Sequence, residues 1–182
     1  MYLRPSCGGF QRPFGCAWFT MEFLRGQAPQ GSKTINPDEG APMNDIHFEY
    51  KNALHRAYAR EALDKEMESR IGEGKAIYSE VLYGERLGYY LARIPYKLSN
   101  MKYASFTRYF GHLKRLGWVE KTGVTEPSTI QDNYSKAPPR VFYRLTAKGC
   151  TATPEQIADP VKALYHYSRD QRSSKSHAYF KP

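Results

Sequence analysis

The sequence predicts a mainly α-helical chain that carries a small antiparallel β-hairpin as a wing. Three observations predict it. Apolar residues recur at helical spacing through several segments between residues 45 and 116. The run Arg140-Val-Phe-Tyr-Arg-Leu-Thr146 is β-prone, and a polar loop rich in turn residues separates it from a shorter run that begins at Trp118. Glycine and proline fall where these segments change character.

Residues 1–42 differ from the rest. They are rich in Gly, Pro, Ser and Gln and show no sustained period. They read as disordered or loosely attached, either as a flexible arm or as an over-extended start, with translation beginning at Met21 or Met43. Residues 43–72 follow as one long amphipathic helix, clearest over 45–70. Its expected apolar stripe is Phe48, Leu54, Tyr58, Leu63, Met67 and Ile71. The glycines of residues 72–74 end it.

Residues 73–150 hold the expected central domain. Ile77, Tyr78, Val81 and Leu82 mark one helix, and Leu87, Tyr90, Leu91 and Ile94 mark another. Gly84 either separates the two or lies within one continuous helix. Pro95 stops the second, because proline disfavours helix in the residue before it. A polar turn with Ser99 and Asn100 as N-cap candidates precedes a third helix at about 102–116. There Phe106, Tyr109, Phe110, Leu113 and Leu116 form a stripe. Gly117 sits at the expected C-cap, and Lys114 and Arg115 lie near the negative helix end. A short strand over residues 118–122, a wing loop at about 123–139 and the strand of residues 140–146 follow. Residues 151–182 read as a helix over 154–168, with Pro160 at or near its start, and a mobile basic tail.

Charge is not spread evenly. The chain has 182 residues with 27 Lys and Arg, 18 Asp and Glu, and a formal charge of +9. Residues 97–148 alone carry ten basic and three acidic groups. Such a localised excess favours a polyanion, through phosphate attraction and counterion release. Cys7, Cys16 and Cys150 form no C-x-x-C pair, which argues against a disulfide framework or a structural zinc site and for a reducing, cytoplasmic setting. No apolar run approaches the roughly 20 residues of a membrane span. The five histidines are scattered, and no nucleophile elbow, phosphate loop or dinucleotide fingerprint is present. The expectation is a protein that is not an enzyme and needs neither metal nor cofactor.

The segment SFTRYFGHLKRLGWVEKTG (105–123), followed by RVFYRLTAKG (140–149), resembles the winged helix-turn-helix family. The resemblance covers roughly residues 75–150. A wing of about 17 residues and the proline-broken segment RIPYKLSNMKY depart from the usual pattern. It implies that the third helix enters the major groove of double-stranded DNA while the wing lies along the backbone. On the helix face opposite the stripe stand Ala104, Thr107, Arg108, Gly111 and Arg115, with His112 and Lys114 beside it and Ser105 nearer the stripe. Arginine can pair bidentately with guanine or phosphate, and the hydroxyls of Ser105 and Thr107 can bond phosphate oxygens.

The expected DNA-binding set is Lys97, Lys102, Ser105, Thr107, Arg108, Gly111, His112, Arg115, Lys121, Lys136 and Arg140. Tyr134 is either a stacking residue of the wing or loop packing. Tyr78, Tyr83, Tyr89 and Tyr90 are read as core and interface, with nucleobase stacking as the weaker alternative. The expected function is that of a transcriptional regulator, with a possible homodimer through residues 45–70 and 154–168. The alternative is a protein-interaction module of the same fold in a replication, transposition or phage-related assembly.

Overall fold

The structure is a computed structural model that describes residues 6–7, 10–127 and 139–165. It is an α-rich fold with a small three-stranded antiparallel sheet. A short strand pair comes first, β1 (Ser6–Cys7) with β2 (Phe10–Gln11).

Helix α1 (Cys16–Leu24) departs from the loose arm expected over residues 1–42, of which residues 1–5, 8 and 9 lie outside the described residues. Ala17, Phe19, Thr20, Met21, Phe23 and Leu24 are all buried in the main core. Phe19 stacks on Phe23 at 5.6 Å and contacts Phe14 and Tyr50 at 6.0 and 5.4 Å. A helix buried nearly all round has no polar face, so it shows no amphipathic period. The polar stretch after it is tied down by hydrogen bonds. Arg56 Nε donates to Gln30 O at 2.8 Å, Arg60 Nη1 to Gln30 Oε1 at 3.2 Å, and Lys33 Nζ pairs with Asp45 at 3.2 Å.

Strand β3 (Ala41–Pro42) leads directly into α2 (Met43–Gly72). The buried seam of α2 is Ile46, Tyr50, Ala53, Leu54 and Ala57, while Ala59 and Leu63 are buried farther along. Phe48 and Ile71, expected in the stripe, stand in solvent. Two residues from either Ile46 or Tyr50 is about 200° around a helix, so Phe48 points away from the core. Alanines carry much of the true seam, and a search for large side chains passes over them.

Helix α3 (Glu80–Arg93) is capped by Ser79, whose Oγ accepts from Leu82 N at 3.4 Å. The two expected helices are therefore one, and residues 75–79 are not helical. None of its residues is fully buried, and Ile77, Val81 and Leu82 are exposed. Polar contacts fasten it to α2: Arg86 Nη2 to Glu66 at 2.7 Å, Tyr78 OH to Glu66 at 2.7 Å, and His55 Nε2 to Leu91 O at 2.8 Å.

The expected polar turn holds one turn of helix, α4 (Tyr96–Ser99). Ser99 does not cap the next helix. It is buried, and its hydroxyl donates to Tyr96 O at 3.2 Å. Helix α5 (Tyr103–Arg115) starts at Lys102 without a side-chain cap. Phe106, Phe110 and Leu113 bury it against α1 and α2, with Leu116 and Trp118 just beyond its end. Gly117 adopts φ +70°. Trp118 N donates to Leu113 O and Gly117 N to Lys114 O, both at 3.0 Å, which closes the helix as a Schellman motif.

Strands β4 (Val119–Glu126) and β5 (Arg140–Leu145) form the wing stem. The sheet order is β3-β5-β4, with Ala41 opposite Tyr143 and Val119 opposite Leu145. Before β3, Gly40 has φ +71°, and a Cβ there would lie 2.0 Å from Tyr143 O. Only glycine permits that approach. Helical turn α6 (Ala147–Cys150) is capped by Thr146, and α7 (Pro154–Ala158) by a Thr153–Gln156 capping box. Asp159 interrupts the expected 154–168 helix, and a further helical stretch covers 160–165. Ile157 of α7 is buried, and α7 packs on α1, so the apolar side expected to form a dimer contact is used within the chain.

Candidate nucleic-acid interface

Between Glu85 and Glu120 the chain has no carboxylate, but it has seven Lys and Arg residues. The fold turns this stretch into most of α3, then α4, the turn, α5 and the entry to β4. Several other cations find partners: Lys33 and Arg140 on Asp45, Arg56 on Glu49, Arg86 on Glu66 and Arg144 on Glu120. Lys97, Lys102, Arg108, Lys114, Arg115 and Lys121 make no ion pair with a described carboxylate. All six are exposed. Uncompensated charge on one surface gives a positive potential that water and salt screen but the protein does not cancel.

The outer face of α5 is as the helical spacing places it. Arg108 and Arg115 are exposed, while Ser105, Thr107, Gly111 and His112 are half-exposed. Thr107 Oγ1 donates to Ala104 O at 2.9 Å, which leaves its lone pairs outward. Around Gly111 no atom lies within 4 Å of a would-be Cβ, so nothing in the fold requires glycine there. A mid-helix glycine costs about 1 kcal/mol relative to alanine and leaves room for another backbone to approach.

His112 is held below the ordinary imidazole range, first by burial, then by the charges of Arg115 and Arg108. It is neutral at pH 7. An Arg115 Nη2 proton is donated to His112 Nδ1, so the ring proton sits on Nε2 as a further donor. Lys114 lies 5.5 Å over the Tyr143 ring, on the seam between α5 and β5.

The remaining expected residues divide. Lys97 on α4 and Lys102 at the start of α5 extend the basic surface at its N-terminal end, and Lys121 extends it onto β4. Arg140 does not join them. It is partly buried, pairs with Asp45 at 2.6 Å and lies 3.6 Å from Glu126, so it pins β5 to the first turn of α2. Lys136, Tyr134 and Asp132 lie outside the described residues, as does the tail from residue 166. Of the four tyrosines read as core and interface, Tyr78 bonds Glu66, and Tyr89 and Tyr90 lie against Arg86. Lys51 was missed: it lies on α2, and only the packing of α4 on α2 brings it to this surface.

Among the described residues no helix is long and apolar enough to cross a membrane. Compared with known proteins, the chain matches no family model, no curated protein and no solved structure.

Proposed function

We propose that the chain is a winged helix-turn-helix protein that binds double-stranded DNA, with α4, the turn and α5 as the helix-turn-helix and β4–β5 as the wing. The observation that carries this reading is the carboxylate-free stretch between Glu85 and Glu120, which forms α4, α5 and the entry to β4; the five exposed Lys and Arg residues of α4, the turn and α5, with Lys121 just beyond, make no ion pair with a described carboxylate. A sheet in the order first-third-second strand behind α5 supports it. The major groove, about 12 Å wide, admits a helix. Arg108 and Arg115 then reach guanine edges or phosphates, Thr107 and His112 Nε2 bond phosphate oxygens, and Gly111 lets the backbone come close. Lys97, Lys102 and Lys121 contact phosphates on either side. A role in transcription regulation follows from this class of contact.

The test is selection from random duplexes with the full chain, followed by a salt titration of the selected site. No duplex binding at low salt would remove the proposal. Ile71, Ile77, Val81 and Leu82, exposed on the α2–α3 hairpin, favour a protein contact at that end, either a partner in a nucleoprotein assembly or a second copy. Sedimentation across a concentration series separates the two.

A further inference from the structure

Beside the N-terminal end of α5 a second surface has a different composition. Phe48, Tyr96 and Tyr103 are 57%, 65% and 41% exposed. They come from α2, α4 and α5, and short contacts tie Tyr96 and Tyr103 to α2, the helix that carries Phe48. The Tyr103 ring lies 5.3 Å from the His47 ring, and Lys51 Nζ lies 5.8 Å from the Tyr96 ring centre. His47 and Lys51 are one turn apart on α2, and Phe48 lies between them in the chain, one turn before Asn52. Lys97 follows Tyr96 and Lys102 precedes Tyr103.

The charge on this flank is one-sided. Lys51, Lys97 and Lys102 have no ion pair with a described carboxylate. The nearby acids of α2 are engaged elsewhere: Asp45 by Lys33 and Arg140, Glu49 by Arg56 at 3.9 Å and by Lys33 N at 3.3 Å. The flank therefore offers open ring faces interleaved with unneutralised ammonium groups. Apolar protein partners match the rings but leave the lysines unpaired. Duplex DNA matches the lysines but keeps its base faces stacked inside. An unpaired strand matches both, with bases on the rings and phosphates on the lysines.

We propose that Phe48, Tyr96 and Tyr103, with Lys51, Lys97 and Lys102, form a stacking site for unpaired nucleotides of single-stranded nucleic acid. Lys97 and Lys102 serve both readings, but the rings are not among the residues that the duplex reading uses, so substitutions of the rings separate the two. A chain with both sites holds a duplex and an adjoining single strand together.

The test measures fluorescence anisotropy of the full chain with labelled oligo(dT), oligo(rU) and a blunt duplex at low salt. Salt-sensitive binding of the single strands is expected, and the dT and rU arms tell which sugar is preferred. Each of Phe48→Ala and Tyr96→Ala should weaken single-strand binding by about 5-fold or more while the duplex arm stays unchanged. Tyr96→Phe should restore it, since the ring face is kept. Both positions are exposed, so melting curves should match the parent. Photocrosslinking of an iodouridine strand supplies a second readout and should label Phe48, Tyr96 or Tyr103. Failure of the parent to bind oligo(dT) and oligo(rU), equal binding by the alanine variants, or crosslinks confined to other residues overturns the proposal. So does an outcome in which the substitutions alter only self-association.

Discussion

Replacing Phe19 by alanine puts the placement of α1 to a direct test. Phe19 is fully buried and touches three other rings, Phe14, Phe23 and Tyr50. Truncating such a side chain costs about 3–5 kcal/mol, from lost transfer energy and the cavity left behind. For a chain of this size each kcal/mol lowers the midpoint by about 2–4 °C, so Tm should fall by about 6–20 °C. Phe19→Leu keeps most of the volume and should cost under about 1.5 kcal/mol. Thermal unfolding of the full chain by circular dichroism at 222 nm, with urea midpoints alongside, gives both values. A Phe19→Ala protein that melts with the parent would refute the packing described for α1. So would a chain beginning at Met43 that unfolds with the same midpoint and cooperativity as the full one.

Arg108→Ala with Arg115→Ala should weaken duplex binding and lower the slope of log affinity against log salt by about 1.8, if each contacts one phosphate. An unchanged slope removes both from the interface. Arg140→Ala should act on stability instead: a double-mutant cycle with Asp45→Asn should return a coupling of up to about 1 kcal/mol, since both groups are partly exposed, with duplex affinity within about twofold of the parent. In the free chain the pKa of His112 lies below its unfolded value of about 6.5. Its contribution to stability is thus full above pH 6.5 and lost as pH falls through the folded value. A bound phosphate reverses the preference, so duplex affinity should rise as pH drops from 7.5 to 6, and His112→Gln should flatten that rise in a pH-resolved titration.

Much of the candidate interface was legible because α5 is a local object. Its stripe, its Gly117 stop and its polar face depend on spacing alone, and Phe106, Phe110, Leu113 and Arg108 lie where spacing puts them. Contacts between distant segments were not legible. The Arg140–Asp45 pair joins residues far apart in sequence, and no local pattern distinguishes Arg140 from Lys121. Helix α1 lacked a clear period because six of its nine residues are buried and the others are only partly exposed. The apparent stripe containing Phe48 misled for the opposite reason: a large ring at roughly helical spacing stands in solvent while Ala53 and Ala57 take the core. Tyr96 and Tyr103 reach Lys51 and His47 of α2 only through the packing of α4 and α5 on that helix.

The central strand of the sheet has an outer neighbour from the opposite end of the fold. Ala41 and Tyr143 pair across about 100 intervening residues, and closing a loop of that length costs about 4 kcal/mol in chain entropy. The β4–β5 hairpin can form soon after its own residues are made, but β3 cannot dock until β5 exists. A growing chain therefore carries Gly40, Ala41 and Pro42 unmatched while about 100 further residues are made, and the cover that α5 gives α1 also comes after α1 itself. The third strand of the sheet is thus added only once β5 exists, and it comes from a segment made before any of the basic surface it supports.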